Sequence, residues 1–392
     1  MSLLLRIVIA IAAGIGAGMI LPVWAAQVFT TFNAVFSTFL NFIIPLLIVG
    51  FVAPAIADTG RRAGAMLGAT VAIAYAMTFG SGLLAYVTAE TVFPSLVEGV
   101  SLDPAATAGT APLPYFTIGV EPLMSVTAAL VLAFVLGFGC AVIPSAERLR
   151  GLLGDFRDVI NLVIGKVIVP LLPLYIFGIF MGMTMEGTVA PVLATFIKII
   201  AVIFVLHIGV LFLQYTVAWF FSGVNPFKGL KIMLPAYATA LGTQSSAATI
   251  PVTLERTVAL GVRPDVAGFV VPLCATIHMS GSTLKIVACA VALMTVSGMP
   301  FDIGMFAGFI AMLGITIIAA PGVPGGAIMA SLGLLSSMLG FTEADCALMI
   351  ALYIAMDSFG TACNITCDGA IAQIVNRLFR PAPTGADSVK TC

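Results

Sequence analysis

Asp357, Thr361, Asn364 and Asp368 recur at intervals of 4, 3 and 4 residues in an otherwise apolar run, so on a helix they share one face. Two carboxylates at membrane depth cost at least about 2.5 kcal/mol each even on a lenient insertion scale, and such groups face an interior cavity and bind something cationic. Hydrogen bonding to neighbouring helices would account for either aspartate alone, but less readily for a pair on one stripe. An intramembrane aspartyl protease also needs two aspartates. Eleven residues along one helix is a rise of roughly 16 Å, too far for the shared proton of such a dyad. The seven cysteines (Cys140, Cys274, Cys289, Cys346, Cys363, Cys367 and Cys392) include one pair on a shared helix face, Cys363 and Cys367, yet no histidine stands at ligand spacing. They read as small packing residues. No enzymatic activity, metal or cofactor is expected.

The residues before this stripe break the apolar pattern in a repeated way. Thr243-Gln-Ser-Ser-Ala-Ala-Thr-Ile-Pro251 interrupts a segment with basic residues at both ends, and Ala319-Ala-Pro-Gly-Val-Pro-Gly-Gly326 interrupts one bounded by acidic residues. Each precedes a span that is itself interrupted, at His278–Ser282 and within Asp357–Asp368. Two hairpin-plus-helix units of opposite orientation read as an inverted repeat. Broken backbone at membrane depth is tolerated only where it is buried or lines a cavity, and helix ends that meet there offer N–H groups to an anion and carbonyls to a cation.

The elements that position these breaks are membrane spans. Hydrophobic residues make up 61% of the 392 and charged residues only 8%, against roughly 25% charged in a soluble domain, so the chain cannot clothe itself in a water-facing surface. Apolar stretches near 3–21, 28–56, 64–88, 119–143, 159–184 and 190–222 match the ~18–20 residues that cross a bilayer. The first would pass for a signal peptide but runs on through Pro22 into a second apolar run, so an uncleaved span is expected. With the N-terminus in the cytoplasm, 13 of the 16 basic residues fall at cytoplasmic edges: Arg6, Arg61, Arg62, Arg148, Arg150, Arg157, Lys228, Lys231, Arg256, Arg263, Arg377, Arg380 and Lys390. Glu90, Glu98, Asp103, Glu121, Glu186, Asp302, Glu343 and Asp345 fall outside. This is the positive-inside asymmetry, and it requires the chain between Lys231 and Arg256 to enter the membrane and turn back. The net charge of −1 gives no reason to expect a nucleic-acid partner.

These motifs closely resemble the glutamate-transporter family, the dicarboxylate/amino acid:cation symporters, over essentially the whole chain. Ser245–Thr253 resembles the serine-rich first hairpin tip, Thr276–Ser282 the broken helix, Gly322-Val-Pro-Gly325 the second hairpin tip, and Asp357–Asp368 the final helix. The resemblance implies an all-α integral membrane protein of eight transmembrane helices plus two re-entrant helical hairpins, built from inverted repeats. It implies a homotrimer whose transport domain moves like an elevator. Residues 1–225 would be mainly scaffold and trimerisation helices, with parts of spans 3 and 6 joining the transport core of 226–380, and 381–392 a cytoplasmic tail. The substrate's ammonium would meet Asp357. Its carboxylate would meet Asn364, Ser246 and the two tips, so that Ser245, Ser246, Gly322, Val323, Pro324, Asp357, Gly360, Thr361 and Asn364 line the substrate site. Thr276, His278, Asn364 and Asp368 would line the cation sites.

Departures from the family pattern narrow the reading. Gly360 stands where acidic-amino-acid carriers hold an arginine, Tyr353 where an acidic residue would steady it, and Gln244 where other members place the arginine. No replacement cation is evident at these positions, and Gly360 leaves room for a neutral side chain. A side-chain carboxylate buried unpaired would cost several kcal/mol, so a neutral amino acid is the expected substrate. His278 and Ser280 replace the asparagine and aspartate of the broken helix, and a third cation site built on Tyr75, Thr78 and Phe79 lacks the oxygen ligands that a hard cation needs. Lys285, deep in an apolar run, either stands in for a lost cation, titrates in a proton-coupled cycle with His278, or is a structural or snorkelling charge. Lys166 and Lys198 read as snorkelling or scaffold residues, and His207 is unassigned. The expectation is a cell-membrane symporter, both termini cytoplasmic, coupling a neutral amino acid to sodium. The alternatives are proton coupling, or an uncoupled ligand-gated channel or membrane sensor.

Overall fold

The computed structural model describes residues 3–61, 65–96, 112–187, 189–318 and 325–379. Among them α1 (Leu3–Ile20), α2 (Val23–Arg61) and α3 (Ala65–Leu96) come first, followed by α4 (Val126–Val142). A long helix then runs as α5 (Glu147–Val163), a π-helical turn (Ile164–Ile168) and α6 (Val169–Met185), and leads to α7 (Val189–Ser222). Among the described residues, five helices are long and apolar enough to cross a membrane, or six when one bent pair is taken as a single span. The stretch expected as a span at 119–143 is shorter: residues 112–125 are not helical, and Ser125 caps the first turn of α4 by accepting from the Ala128 N–H. Pro122, three residues before that cap, disfavours a helix running back through 119–121.

The second half is built from broken and paired helices. α8 (Pro226–Thr243) starts on the Asn225 cap with Pro226 at its first position, and ends at Gln244 in the left-handed region (φ 53°). Ser245 then caps α9 (Ser246–Ala259), so one helical hairpin folds on two polar residues. α10 (Pro264–Ile277) and α11 (Ser280–Val296) are two halves of one run, broken at His278 and Met279. α12 (Ile303–Ile318) and α13 (Gly326–Leu339) flank residues 319–324, so Gly322, Val323 and Pro324 lie outside the described residues. α14 (Glu343–Ala355), opened by a Thr342–Asp345 capping box, meets α15 (Asp357–Leu378) at a 62° bend. The final interruption therefore sits at Met356 and not within Asp357–Asp368, which is continuous helix. An aspartate opening α15 is favoured there by the positive end of the helix dipole.

These breaks are central. α11 is apolar nearly all round and almost wholly buried, as such a helix must be. It packs against α3, α7, α14 and α15, while α15 packs against α7, α8, α9, α10 and α11. α1 lies on α6, and α2 on α4 and α5. Gly281 allows the closest approach: a Cβ there would lie 2.6 Å from Gly360 O and 2.7 Å from Cys363 Cβ. Gly281→Ala should therefore push α11 and α15 apart and lower stability by about 1–3 kcal/mol, measured as a drop in melting temperature of the purified protein.

Candidate binding site at the broken helices

Three helix ends converge on the polar stripe. Asp357 opens α15, Gly325 precedes α13, and the first turn of α11 crosses the middle of α15. Asp357, Thr361, Asn364 and Asp368 are all buried on that face. Asp357 Oδ2 accepts the Gly325 N–H at 2.8 Å, and its Oδ1 accepts from Lys285 Nζ at 2.8 Å. Lys285 is fully buried, so a charge-assisted pair is what permits both charges to sit there.

Lys285 is where the structure corrects the reading of Gly360. The space beside that glycine is not open: a Cβ on Gly360 would lie 2.7 Å from Lys285 Nζ and 2.9 Å from its Cε. Tyr353, one turn before the bend, puts its ring centroid 3.4 Å from the same Nζ, within cation–π range, and its hydroxyl donates to Ser282 Oγ at 3.0 Å. Gly360, Tyr353 and Lys285 are thus one constellation. The glycine admits the lysine, the ring seats it and Asp357 neutralises it. A cation does occupy this region, carried on α11 and not on α15.

Asn364 binds α11 from the side. Its Oδ1 accepts the Gly281 N–H at 2.7 Å and the Ser282 N–H at 3.4 Å, satisfying N–H groups of the first helical turn. Its Nδ2 donates to Ser282 Oγ at 3.2 Å. Ser246, the first residue of α9, is buried, Thr361 is buried beside Gly360, and Ser245 is partly exposed at the hairpin turn.

A second polar cluster lies four residues further along α15. His278 Nδ1 is 2.9 Å from Asp368 Oδ1, and His278 Nε2 is 2.6 Å from Ser280 Oγ. Both ring nitrogens are therefore engaged, while Asp368 Oδ2 is buried without a hydrogen-bond partner. Gln214 of α7 donates from Nε2 to Ser280 Oγ at 2.8 Å and to Ser81 Oγ at 3.1 Å. Gln214 was missed in the sequence, although a lone amide inside a long apolar run is itself a signal. His207, unassigned from sequence, faces Gly281 O with Nε2 at 3.2 Å and braces the same turn of α11.

Other candidates fall elsewhere. Thr276 is exposed and donates to Leu273 O at 2.7 Å. Tyr75 donates to Ala311 O on α12, while Thr78 Oγ1 accepts the Met279 N–H at 3.4 Å. Lys198 donates to Leu96 O, and Lys166 is exposed on the π-helical turn.

A family model described as the sodium:dicarboxylate symporter family matches residues 3–378. The serine/threonine transporter SstT of Acinetobacter baumannii is 26% identical over 384 residues, covering 94% of this chain and 94% of that protein. Excitatory amino acid transporter 2 of Homo sapiens is 27% identical over 268 residues, 66% of this chain and 46% of that protein.

Proposed function

Because the chain belongs to the sodium:dicarboxylate symporter family, we propose that it is a secondary active symporter that carries an amino acid with an uncharged side chain across the membrane, driven by sodium. The observation that carries the choice of side chain is the Lys285–Asp357 pair. Lys285 and Asp357 sum to zero, so the site has no net positive charge to balance the net negative charge that a second carboxylate gives the substrate. Burying that group uncompensated would cost several kcal/mol. The relative matched along nearly its full length, named as a serine/threonine transporter, agrees with this choice.

In this reading the ammonium of the substrate goes to Asp357, and its carboxylate to Asn364, Ser246 and the helix N-termini at the two hairpin tips, Gly322-Val-Pro-Gly325 among them. Thr361 faces the side chain. Sodium would use Asp368 with Asn364 and backbone carbonyls. The His278–Asp368 contact favours a second reading of the coupling ion, in which the imidazole carries a proton in place of a metal cation. The architecture proposed is eight spans and two re-entrant hairpins, termini inside the cell, assembled as a homotrimer in the cell membrane. The close packing of α7–α11 on α15, and of α1, α2 and α4–α6 on one another, supports a division into transport core and scaffold.

Uptake into liposomes containing the purified protein tests this. L-Serine or a similar neutral amino acid should accumulate under an inward sodium gradient and not under a proton gradient alone. High-affinity L-aspartate uptake that no neutral amino acid competes would sink the substrate class. Current without uphill accumulation would sink symport.

A further inference from the structure

The site contains one fixed cation and one fixed anion that satisfy each other: Lys285 Nζ and Asp357 Oδ1, 2.8 Å apart and shielded from water. A ligand bearing a single charge that bound to either member would strip the other of its counter-ion. An ammonium that displaced Lys285 would leave the lysine bare, and a carboxylate that captured Lys285 would leave Asp357 bare. A zwitterion brings the complementary pair, and so both fixed charges keep a partner.

We propose that Lys285 is the second half of the substrate site, and that the zwitterion binds by partner exchange, its ammonium taking Asp357 and its carboxylate taking Lys285 in addition to the neutral donors named above. This rests on the amino acid reading above and assigns it a residue outside the stripe on α15. Two further observations equip Lys285 for the exchange. Gly360 lets the ammonium stand where a side chain would otherwise be, and the Tyr353 ring at 3.4 Å holds it by its face while the carboxylate partner changes. Asp357 keeps the Gly325 N–H on its other oxygen throughout. Specificity then comes from the penalty on the wrong charge pattern: removal of either charge from the ligand is heavily disfavoured, whatever the side chain.

Binding of three matched probes to the purified full chain tests the assignment: L-serine, glycerate (ammonium replaced by hydroxyl) and ethanolamine (carboxylate removed). Wild type should bind L-serine at least about a hundred-fold more tightly than either analogue. Asp357→Asn, which keeps Lys285, should shift the preference at least about ten-fold towards glycerate. Lys285→Met, which keeps Asp357, should shift it likewise towards ethanolamine. The double variant Lys285→Met/Asp357→Asn removes both charges, so it should melt closer to wild type than either single variant and rank the three probes within a few-fold. It keeps the test decisive if the single variants fold poorly. A Lys285→Met protein that ranks the probes as wild type does, or a double variant that keeps the wild-type ranking, overturns the proposal and leaves the amino acid reading standing. Wild type that binds succinate but none of the neutral amino acids overturns both.

Discussion

Gly360→Arg, which restores the arginine of acidic-amino-acid carriers, should severely destabilise this protein, and the same substitution should be tolerated once Lys285 is shortened to alanine. The first carbon added at position 360 would already fall 2.7 Å from Lys285 Nζ. The guanidinium would then bring a second buried cation to a site where Asp357 balances only one. An uncompensated buried charge costs about 3–5 kcal/mol, so the single variant should lose most of its folded yield or melt far below wild type. Gly360→Arg/Lys285→Ala empties the space and returns the count to one cation and one anion. It should recover most of the stability. Equal melting temperatures for wild type and the single variant would show that Lys285 does not occupy this space.

The second large effect concerns the coupling ion. His278→Asn should strengthen sodium binding by about ten- to a hundred-fold, read as a shift in the sodium concentration that half-maximally stabilises the protein against heat. A hydrogen bond to a charged group contributes about 1.5–3 kcal/mol, and His278 Nδ1 now makes one to Asp368 Oδ1. Removing the imidazole frees both oxygens of a carboxylate whose Oδ2 already lacks a hydrogen-bond partner. Asparagine also supplies the carbonyl oxygen that a hard cation prefers. An unchanged sodium dependence, together with loss of pH dependence in uptake, would favour the imidazole as the coupling group.

Much of this was legible along the chain. The 4-3-4 spacing from Asp357 to Asp368 lands on one buried helix face because helix periodicity converts sequence spacing directly into direction. The break at His278 and the turn at Gln244–Ser245 were marked by small polar residues in apolar surroundings. The break at Met356 was not marked, because nothing in Ala355-Met-Asp357 differs from continuous helix; the bend arises where α14 and α15 pack in different directions. The reading of Gly360 as open space failed for a related reason. A glycine announces that its own side chain is missing, but which neighbour uses the room depends on a helix some 75 residues away.

That contrast separates what each level determined about this protein. The sequence by itself determined the membrane solvent, the breaks at His278 and at Gln244–Ser245, and the polar face of α15. Those follow from composition, period and charge along a single chain, all of which are local. Only the tertiary structure decided how the charges are matched: Lys285 to Asp357, His278 to Asp368, and Asn364 to the first turn of α11. Lys285 stood out in the sequence as an anomaly without a partner, and so did the missing arginine. Coulomb and hydrogen-bond energies depend on distance through space, which sequence spacing does not report between helices. The packing of α11 against α15 placed Lys285 Nζ 2.7 Å from where a side chain at position 360 would begin and made the two anomalies one feature.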